Sequence, residues 1–461
     1  MPGQKLIYSI TEADDMNRRS KTNALCDLVV LYDYNEKEKT GVLIPTEKLL
    51  SFTLTENIFG ALPHLQIRLF DNNTFFNNIN FVIGKNLYIK VIPRPPEGLK
   101  LDFIPAPYIE SVFTIQDVQV TVQPNISYTY TIDCTHGSMK LLSDICIWPR
   151  KITPKDLKEE SLNSKEVLLQ VAGAAGFKAN SQFTDNPSDS MNWLSTNYTY
   201  EQFIKKIISH SWLGENDAPF YYIDKDGNFT LSSLRTCADK AVIAQYMEAT
   251  KFHMLNDDKK KASYRSYTEG AIQNMGFISN DGGNKATAYV FNPLHGPELV
   301  TIKPAPKLPT IPGAFSVPEH YRQYTTDDKT EVFITGVDNR APNTVQNIKY
   351  KSNDIHFAQN HKYYDIAPLH NKALLKRFFQ VFSSIIYNSN LQAINEYKPE
   401  SRIKLTDKIN IDFSGLRESD TSIHTGDYIV SNMTHTWFVG GAYSINIIGV
   451  RDTITGAGSL I

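Results

Sequence analysis

The stretch from Leu50 to Ile92 constrains this chain most, because its apolar residues recur at every second position. Leu65, Ile67 and Leu69 alternate with Gln66 and Arg68, and Leu87, Ile89 and Val91 alternate with Tyr88 and Lys90. Successive side chains of a strand point to opposite faces, so each run has one apolar face and one wet face. The apolar face must be covered by another layer or by the sheet itself, which predicts an antiparallel sandwich or a small barrel. The same alternation returns from Tyr428 to Val450 and predicts a second β module.

A chain of 461 residues holds about two to four domains and can bury more than one core. Its apolar fraction of 41% and charged fraction of 21% are those of a globular protein. Lys+Arg 47 against Asp+Glu 49 leaves a net charge of -2, which gives no broad attraction to nucleic acid or to an anionic membrane. Cys26, Cys134, Cys146 and Cys237 lie far apart and form no CxxC pair, as expected of reduced, structural thiols made in a reducing cytoplasm. Met1 to Asp15 has no signal-like apolar run, and no window approaches the ~18 apolar residues of a membrane span. The chain is therefore expected to be soluble when made. Five Asn-x-Ser/Thr matches, at Asn72, Asn125, Asn197, Asn228 and Asn432, follow from an Asn- and Thr-rich composition.

The order of signals predicts a β-rich α+β fold. Two small antiparallel β-barrels carry an α+β insertion between them and one long helix before the last strands. Residues 1–26 read as an extended arm that orders on a partner, and 27–140 as the first barrel, with strands over Leu28–Leu31, Val42–Ile44, Phe52/Leu54, Leu65–Leu69, Leu87–Val91, Val112–Ile115, Val118–Val122 and Tyr128–Ile132. Residues 141–235 form the insertion. Val167, Leu168, Val171, Ala172 and Ala175 fall at helical spacing, with Ser164 as a cap and Gly176 as the close. Thr199-x-x-Gln202 is a capping box ahead of Phe203, Ile204, Ile207 and Ile208. Phe220–Ile223, the Asp224–Asn228 turn and Phe229–Leu231 read as a hairpin.

Residues 236–300 begin the second barrel, with strands over Val242–Tyr246, Ala271–Ile278 and Ala288–Phe291. A Pro-rich connector, 301–354, is stiffened by Pro304, Pro306, Pro309, Pro312 and Pro318. Residues 355–452 supply the long helix and the closing strands. Pro368 suits the first turn of that helix, which carries Leu374, Leu375, Phe378, Phe379, Phe382, Ile385 and Ile386. Gly440-Gly441 predicts a two-residue hairpin turn before Ala442–Val450. A short tail, 453–461, ends the chain. No repeat of 20 to 50 residues is visible.

No catalytic, cofactor or metal residues are assigned. HExxH, GxSxG, GxxxxGK[ST] and GxGxxG are all missing from the sequence. His356 and His361 are five apart and read as surface or interface histidines rather than metal ligands. Cys134 with His136 closes a strand and shows no acid or metal partner. Asp224, Asp226 and Asn228 with Gly227 resemble the opening of a calcium loop, but Arg235 stands where the bidentate Glu belongs, so a hairpin turn is the better account. Glu159/Glu160 and Asp257/Asp258 lie in polar runs that read as solvated loops. Tyr 24 and Phe 24 supply anchors of the type enriched at protein interfaces, although most are expected in cores. With the wide apolar helix and the arm, they point to an assembly subunit.

Three groups of residues, in order, resemble the baseplate hub of contractile-tailed phages, a family that includes the tube-proximal part of VgrG-type spike proteins. The first is Leu54-Thr-Glu-Asn57 with Leu65-x-Ile67-x-Leu69-x-Asp71 and Ile83-Gly84-Lys85. The second is Asn192-Trp193-Leu194, Phe220-Tyr-Tyr-Ile-Asp224 and Gly227-x-Phe229. The third is Thr425-Gly426-Asp427-Tyr428-Ile429-Val430, His435, Gly441-Ala-Tyr443 and Val450-Arg451. The resemblance implies a non-enzymatic virion protein of the phage tail baseplate, assembled in the host cytoplasm. As a homotrimer it would present tail-tube-like barrels to a hexameric tail tube protein on one side and a trimeric central spike protein on the other, beside other baseplate proteins. No cofactor, no membrane contact and no nucleic-acid contact beyond passage of DNA through a channel are implied. Nothing spike-like follows Arg451, so the spike is expected as a separate chain. Competing readings are the tail-tip hub of a non-contractile phage, a cell-wall hydrolase and a receptor-binding tail protein.

Overall fold

The structure is a computed structural model. It describes residues 7–9, 24–35, 38–60, 62–72, 76, 79, 81–93, 106–123, 127–148, 162–214, 216–248, 261–264, 266–272, 286–292, 296–302, 323–325, 331–333, 345–350, 361, 363–364, 367–379, 381–388, 402–413, 424–438 and 443–451. The arm residues 10–23, the connector residues 303–322, His356, Gly440-Gly441, the two acidic pairs and the tail 453–461 lie outside them.

Chain order begins with β1 (Ile7–Ser9), β2 (Ala24–Asn35), β3 (Glu38–Ile44), a 3-10 turn (Thr46–Lys48), β4 (Leu49–Asn57), β5 (His64–Asp71), β6 (Asn86–Pro93), β7 (Ile109–Gln123) and β8 (Ser127–His136). The insertion then supplies α1 (Met139–Ser143), α2 (Ser164–Ala174), β9 (Lys178–Ser181), α3 (Tyr200–His210), β10 (Pro219–Ile223), β11 (Asn228–Ser233) and α4 (Leu234–Asp239). Next come β12 (Val242–Glu248), β13 (Lys261–Tyr264), β14 (Ser266–Ile272), β15 (Ala286–Asn292), β16 (Gly296–Ile302), β17 (Gln323–Thr325), β18 (Glu331–Phe333) and β19 (Val345–Tyr350). The chain closes with α5 (Ala367–Phe378), β20 (Val381–Asn388), β21 (Lys408–Asp412), β22 (Gly426–Phe438) and β23 (Ser444–Arg451). The fold is β-rich with few helices.

The expected pair of separate closed barrels is replaced by one continuous sheet of 15 strands among the described residues. Within it two sets of strands repeat one topology. The first set runs in the order β3-β2-β6-β7-β8-β5-β4, and the second in the order β13-β12-β21-β22-β23-β20-β14. Taken in chain order, each strand of one set has its counterpart at the same place in the other. One direction differs: β2 is antiparallel to β3 and β6, whereas β12 is parallel to β13 and β21.

β22 joins the two sets. Its first half, Gly426–Ile429, pairs with β21, and its second half, Asn432–Phe438, pairs with β4. Its other edge pairs with β23 from Ile429 to Thr436. A strand of thirteen residues, many of them β-branched or aromatic, makes such a span possible. Among the described residues neither set closes on itself, and in the first set the free edge of β4 is taken by β22 rather than by β3. The last described β22–β23 pair is Thr436 with Ser444, and the expected Gly440-Gly441 turn lies outside the described residues.

The repeat extends to turn geometry. Lys85 donates its amide to Val82 and Asp407 donates to Lys404, and each turn leads into the corresponding strand, β6 or β21. Ile115 of β7 exchanges bonds with Gly84 and Lys85 as Val430 of β22 does with Thr406 and Asp407. Gly84 has φ +86 and Thr406 has φ 68. Thr406, one of two non-glycine residues with positive φ among those described, thus holds a position that the first set gives to glycine.

Two corrections concern helices. The long helix ends at Phe378, and Val381–Asn388 continues as β20, where Val381, Ser383 and Ile385 are buried and Phe382, Ser384 and Ile386 less so. The helical reading failed there because Val381 to Ile386 is also a period-two run with β-branched residues, and pairing with β23 over eight residues decides it. The cap of α2 is Asn163 rather than Ser164: its Oδ1 accepts from the Glu166 amide while Glu166 accepts from the Asn163 amide. Gly176, φ +94, ends that helix in a Schellman arrangement, its amide donating to Gly173 and that of Phe177 to Ala172. The Thr199 capping box and the β10–β11 hairpin form as expected. Val112–Val122 is a single strand with a bulge between Ile115 and Asp117.

One apolar core runs through both strand sets, from Leu28 and Ile67 to Ile411 and Ile447. The insertion has its own core around Val167, Leu168, Phe203, Ile204 and Ile207. β10 lies between the two: Phe220 and Tyr222 join the main core, while Tyr221 and Ile223 join the insertion core. That explains a strand buried at all five positions without polar alternation.

Candidate assembly site

The residues with the most suggestive chemistry serve the fold. Cys134 is fully buried, and burial pushes its thiol above the range in which a nucleophile forms. His136 bonds Ser138 through Nδ1 (2.8 Å) and stacks edge-on to Phe113, with Gly227 against its ring. Asp224 closes the β10–β11 turn: Oδ1 accepts from the amides of Asp226 (3.0 Å) and Asn228 (2.9 Å), which uses the lone pairs a cation would need. His361 is buried and donates Nε2–H to the His210 carbonyl at 2.7 Å. All four cysteines are buried and unbridged. Among the described residues no group of three His, Cys, Asp or Glu is placed to hold a metal, and no helix is long and apolar enough to cross a membrane.

What the structure does build is a pair of long-range joints. The first caps α3. That helix ends at Ser211 without a glycine, and its last carbonyls are met from 150 or more residues away. Asn371 donates Nδ2 to Ser211 (2.8 Å) and Ser209 (3.3 Å), His361 meets His210, and His210 returns a bond to the Tyr364 carbonyl at 2.8 Å. His210 and Tyr364 stack at 3.9 Å, and Trp212 stacks on Tyr363 at 4.2 Å. Nothing local in the sequence marks these partners. Asn371→Ala is expected to cost about 1–3 kcal/mol, since one buried and one part-buried carbonyl lose their donor, and a urea unfolding curve measures it.

The second joint lies where β4 meets β22. Glu56, His435 and Tyr443 are buried there in a line. The Lys225 amide donates to Glu56 Oε2 (2.8 Å), bringing the tip of the insertion hairpin onto β4. With Glu56 ionised, His435 carries its proton on Nε2 and donates to Glu56 Oε1 (3.3 Å), and Nδ1 accepts from the Tyr443 hydroxyl (2.6 Å). Ser111 of β7 bonds the Lys225 carbonyl, Tyr443 stacks on Tyr108 at 5.0 Å, and Arg402 lies over the Tyr108 ring while bonding the Ala106 and Pro107 carbonyls. Burial acts to raise the Glu56 pKa, but the Lys225 charge and the bonds from His435 and the Lys225 amide hold it at about 2. Burial lowers His435, against the pull of Glu56. The tyrosine, histidine and carboxylate stand in line with all three side chains buried, and their bonds lock β4 to β22.

Acid should open this lock. His435 and His136, the latter lowered to about 4 by burial, stay neutral in the folded chain where the unfolded chain takes up protons below the ordinary value of 6.5. Stability is therefore retained above pH 6.5 and falls as pH drops below it. Glu56 adds a second loss from its ordinary 4.5 down to about 2. Unfolding free energy is expected to fall by on the order of 2–3 kcal/mol between pH 7 and pH 4, less in a His136→Asn variant, as read from denaturant midpoints at each pH.

The exposed apolar side chains on the described surface include Val120 and Val122 near the end of β7, Val82 and Ile83 in the turn before β6, and Met139, Leu141, Ile145 and Ile147 after β8.

No family model and no curated protein matches the chain. Solved structures similar to it are phage tail and type VI secretion proteins. The 43 kDa tail protein of prophage MuSo2 from Shewanella oneidensis aligns at 9% identity over 93% of this chain and 96% of its own, TM-score 0.48. A tail protein from Neisseria meningitidis MC58 aligns at 7% identity over 94% and 98%, TM-score 0.47. The E. coli c3393 protein, described as a type VI secretion component similar to the T4 tail proteins gp27 and gp5, aligns at 7% identity over 88% and 73%, TM-score 0.38.

Proposed function

We propose that this chain is a structural hub of a phage tail, a ring-forming adaptor between a hexameric tail tube and a trimeric central spike. The observation that carries the reading is the repeated seven-strand order. A chain with two like β units presents six of them when three copies close a ring, and six like units match a six-subunit tube while three copies match a three-fold spike. The hub resemblance in the sequence supports the same reading, as does the use of the reactive side chains in buried joints. On this reading each strand set acts as a barrel-like, tube-proximal unit, the insertion braces the pair from outside, and the protein is non-enzymatic and resides in the virion tail.

The test is mass and binding. The purified chain, mixed with its tube and spike partners, is expected to form a homotrimer that binds both, through interfaces on the order of 2,000 Å² or more. A chain that stays monomeric in that mixture and binds neither would end the hub reading.

A further inference from the structure

We propose that residues 145–148 of the insertion take up, as an added strand, an extended segment of another protein with apolar residues at alternate positions. The inference goes beyond the hub reading and takes its geometry from this chain alone.

After α1 the backbone becomes extended at Asp144, and residues 144–148 run antiparallel to residues 195–200. Every bond of that ribbon uses one alternate set of residues. Tyr200 donates its amide to the Asp144 carbonyl (3.0 Å), Cys146 donates to Tyr198 (2.9 Å), and Ser195 donates to Trp148 (3.1 Å). The Ser195 hydroxyl fills the remaining places, accepting from the Trp148 amide (2.8 Å) and donating to the Cys146 carbonyl (2.6 Å). In an extended chain the backbone groups of successive residues point to opposite edges, so those of Ile145 and Ile147 face away from residues 195–200. Neither isoleucine makes a backbone hydrogen bond with any described residue.

The side chains follow the same alternation. Cys146 is buried and Trp148 packs against the insertion core, whereas Ile145 is 67% exposed and Ile147 69% exposed. Neither position carries the lysine or proline that guards a bare edge. Open amides and carbonyls beside two exposed β-branched side chains specify the occupant. It is an extended segment whose backbone completes the ladder and whose apolar residues, two apart, lie beside Ile145 and Ile147. Pro149 has no amide to continue that ladder, and α1 closes the edge at its other end.

Size decides between a segment and a folded partner. With Met139 and Leu141 of α1, also exposed, the two isoleucines offer on the order of 400 Å² of apolar surface, about half of what each side buries in a stand-alone complex. That is too little to hold two folded copies together. It suits a short strand whose own protein is anchored elsewhere in the assembly, where tethering raises its effective concentration.

The experiment uses the full purified chain and a soluble probe peptide in which valine and threonine alternate between terminal lysines. Hydrogen exchange at the Ile145 and Ile147 amides, fast in the free chain, is expected to slow at least tenfold in saturating peptide, while the Cys146 amide, already bonded to Tyr198, changes little. A peptide N-methylated along its bonding edge is expected to bind at least tenfold more weakly. Ile147→Asp should weaken binding by a similar factor at an unchanged melting temperature, and Ile243→Asp, at an exposed isoleucine of β12, should leave it intact. Unchanged exchange at Ile145 and Ile147, equal binding of the N-methylated peptide, or equal binding by Ile147→Asp would overturn the inference. So would self-association of the chain that is lost in Ile147→Asp, since a second copy would then be the occupant. The test needs neither tube nor spike: its failure leaves the hub reading standing, and a chain that stays monomeric beside those partners sinks the hub reading alone.

Discussion

Glu56→Ala is expected to lower stability by on the order of 3–5 kcal/mol, the cost of removing one member of a buried charged network. The substitution strips the acceptor from the Lys225 amide and from His435 Nε2 together, at a place where water does not reach. The loss is local to a joint, so it has a second signature. The insertion hairpin is tied to β4 by Lys225, and protease cleavage near residues 224–228 should appear in the variant before global unfolding. Glu56→Gln keeps an acceptor and the shape, and should recover part of the loss while removing the acid-labile step below pH 4.5. Equal stability of Glu56→Ala and wild type in urea would show that the network has no energetic role.

Trp437→Ala is the second large effect, about 3–5 kcal/mol. Trp437 is among the largest fully buried side chains and stacks on Phe52 at 6.2 Å with 7° between ring planes, across the β4–β22 ladder. Its removal opens a cavity on the line where the two strand sets meet, and the neighbouring rings Tyr443 and Tyr108 are already held by other partners. Trp437→Phe should cost much less, because the indole N–H has no hydrogen-bond partner in the described structure. Thermal melts of the two variants separate packing from polarity.

The sequence disclosed what local physics decides. Alternation in Leu65–Leu69 and Leu87–Val91, the Thr199 capping box and the Asp224 turn are signals written within a few residues of where they act. The helix boundary at Phe378 was not legible, because Leu374, Phe378, Phe382 and Ile385 continue a helical spacing while Val381–Ile386 also alternates. The choice is made by β23, some 60 residues on. The repeat was hidden for a different reason. A strand set can keep its order while almost every residue changes, provided inward positions stay apolar, so Gly84 and Thr406 hold one conformation with different chemistry. Nor did any motif announce the Glu56–His435–Tyr443 joint, whose members are 379 and eight residues apart in sequence.

The long strand β22 has a mechanical consequence. Because it is hydrogen-bonded to β4 along one edge and β23 along the other, a pull along its axis loads a whole row of parallel bonds at once, whereas a pull across it would open them one after another like a zip. A particle that must survive a sudden axial thrust gains most from seams of the first sort, and the direction in which this molecule is weakest is the one that single-molecule stretching from different anchor points can find.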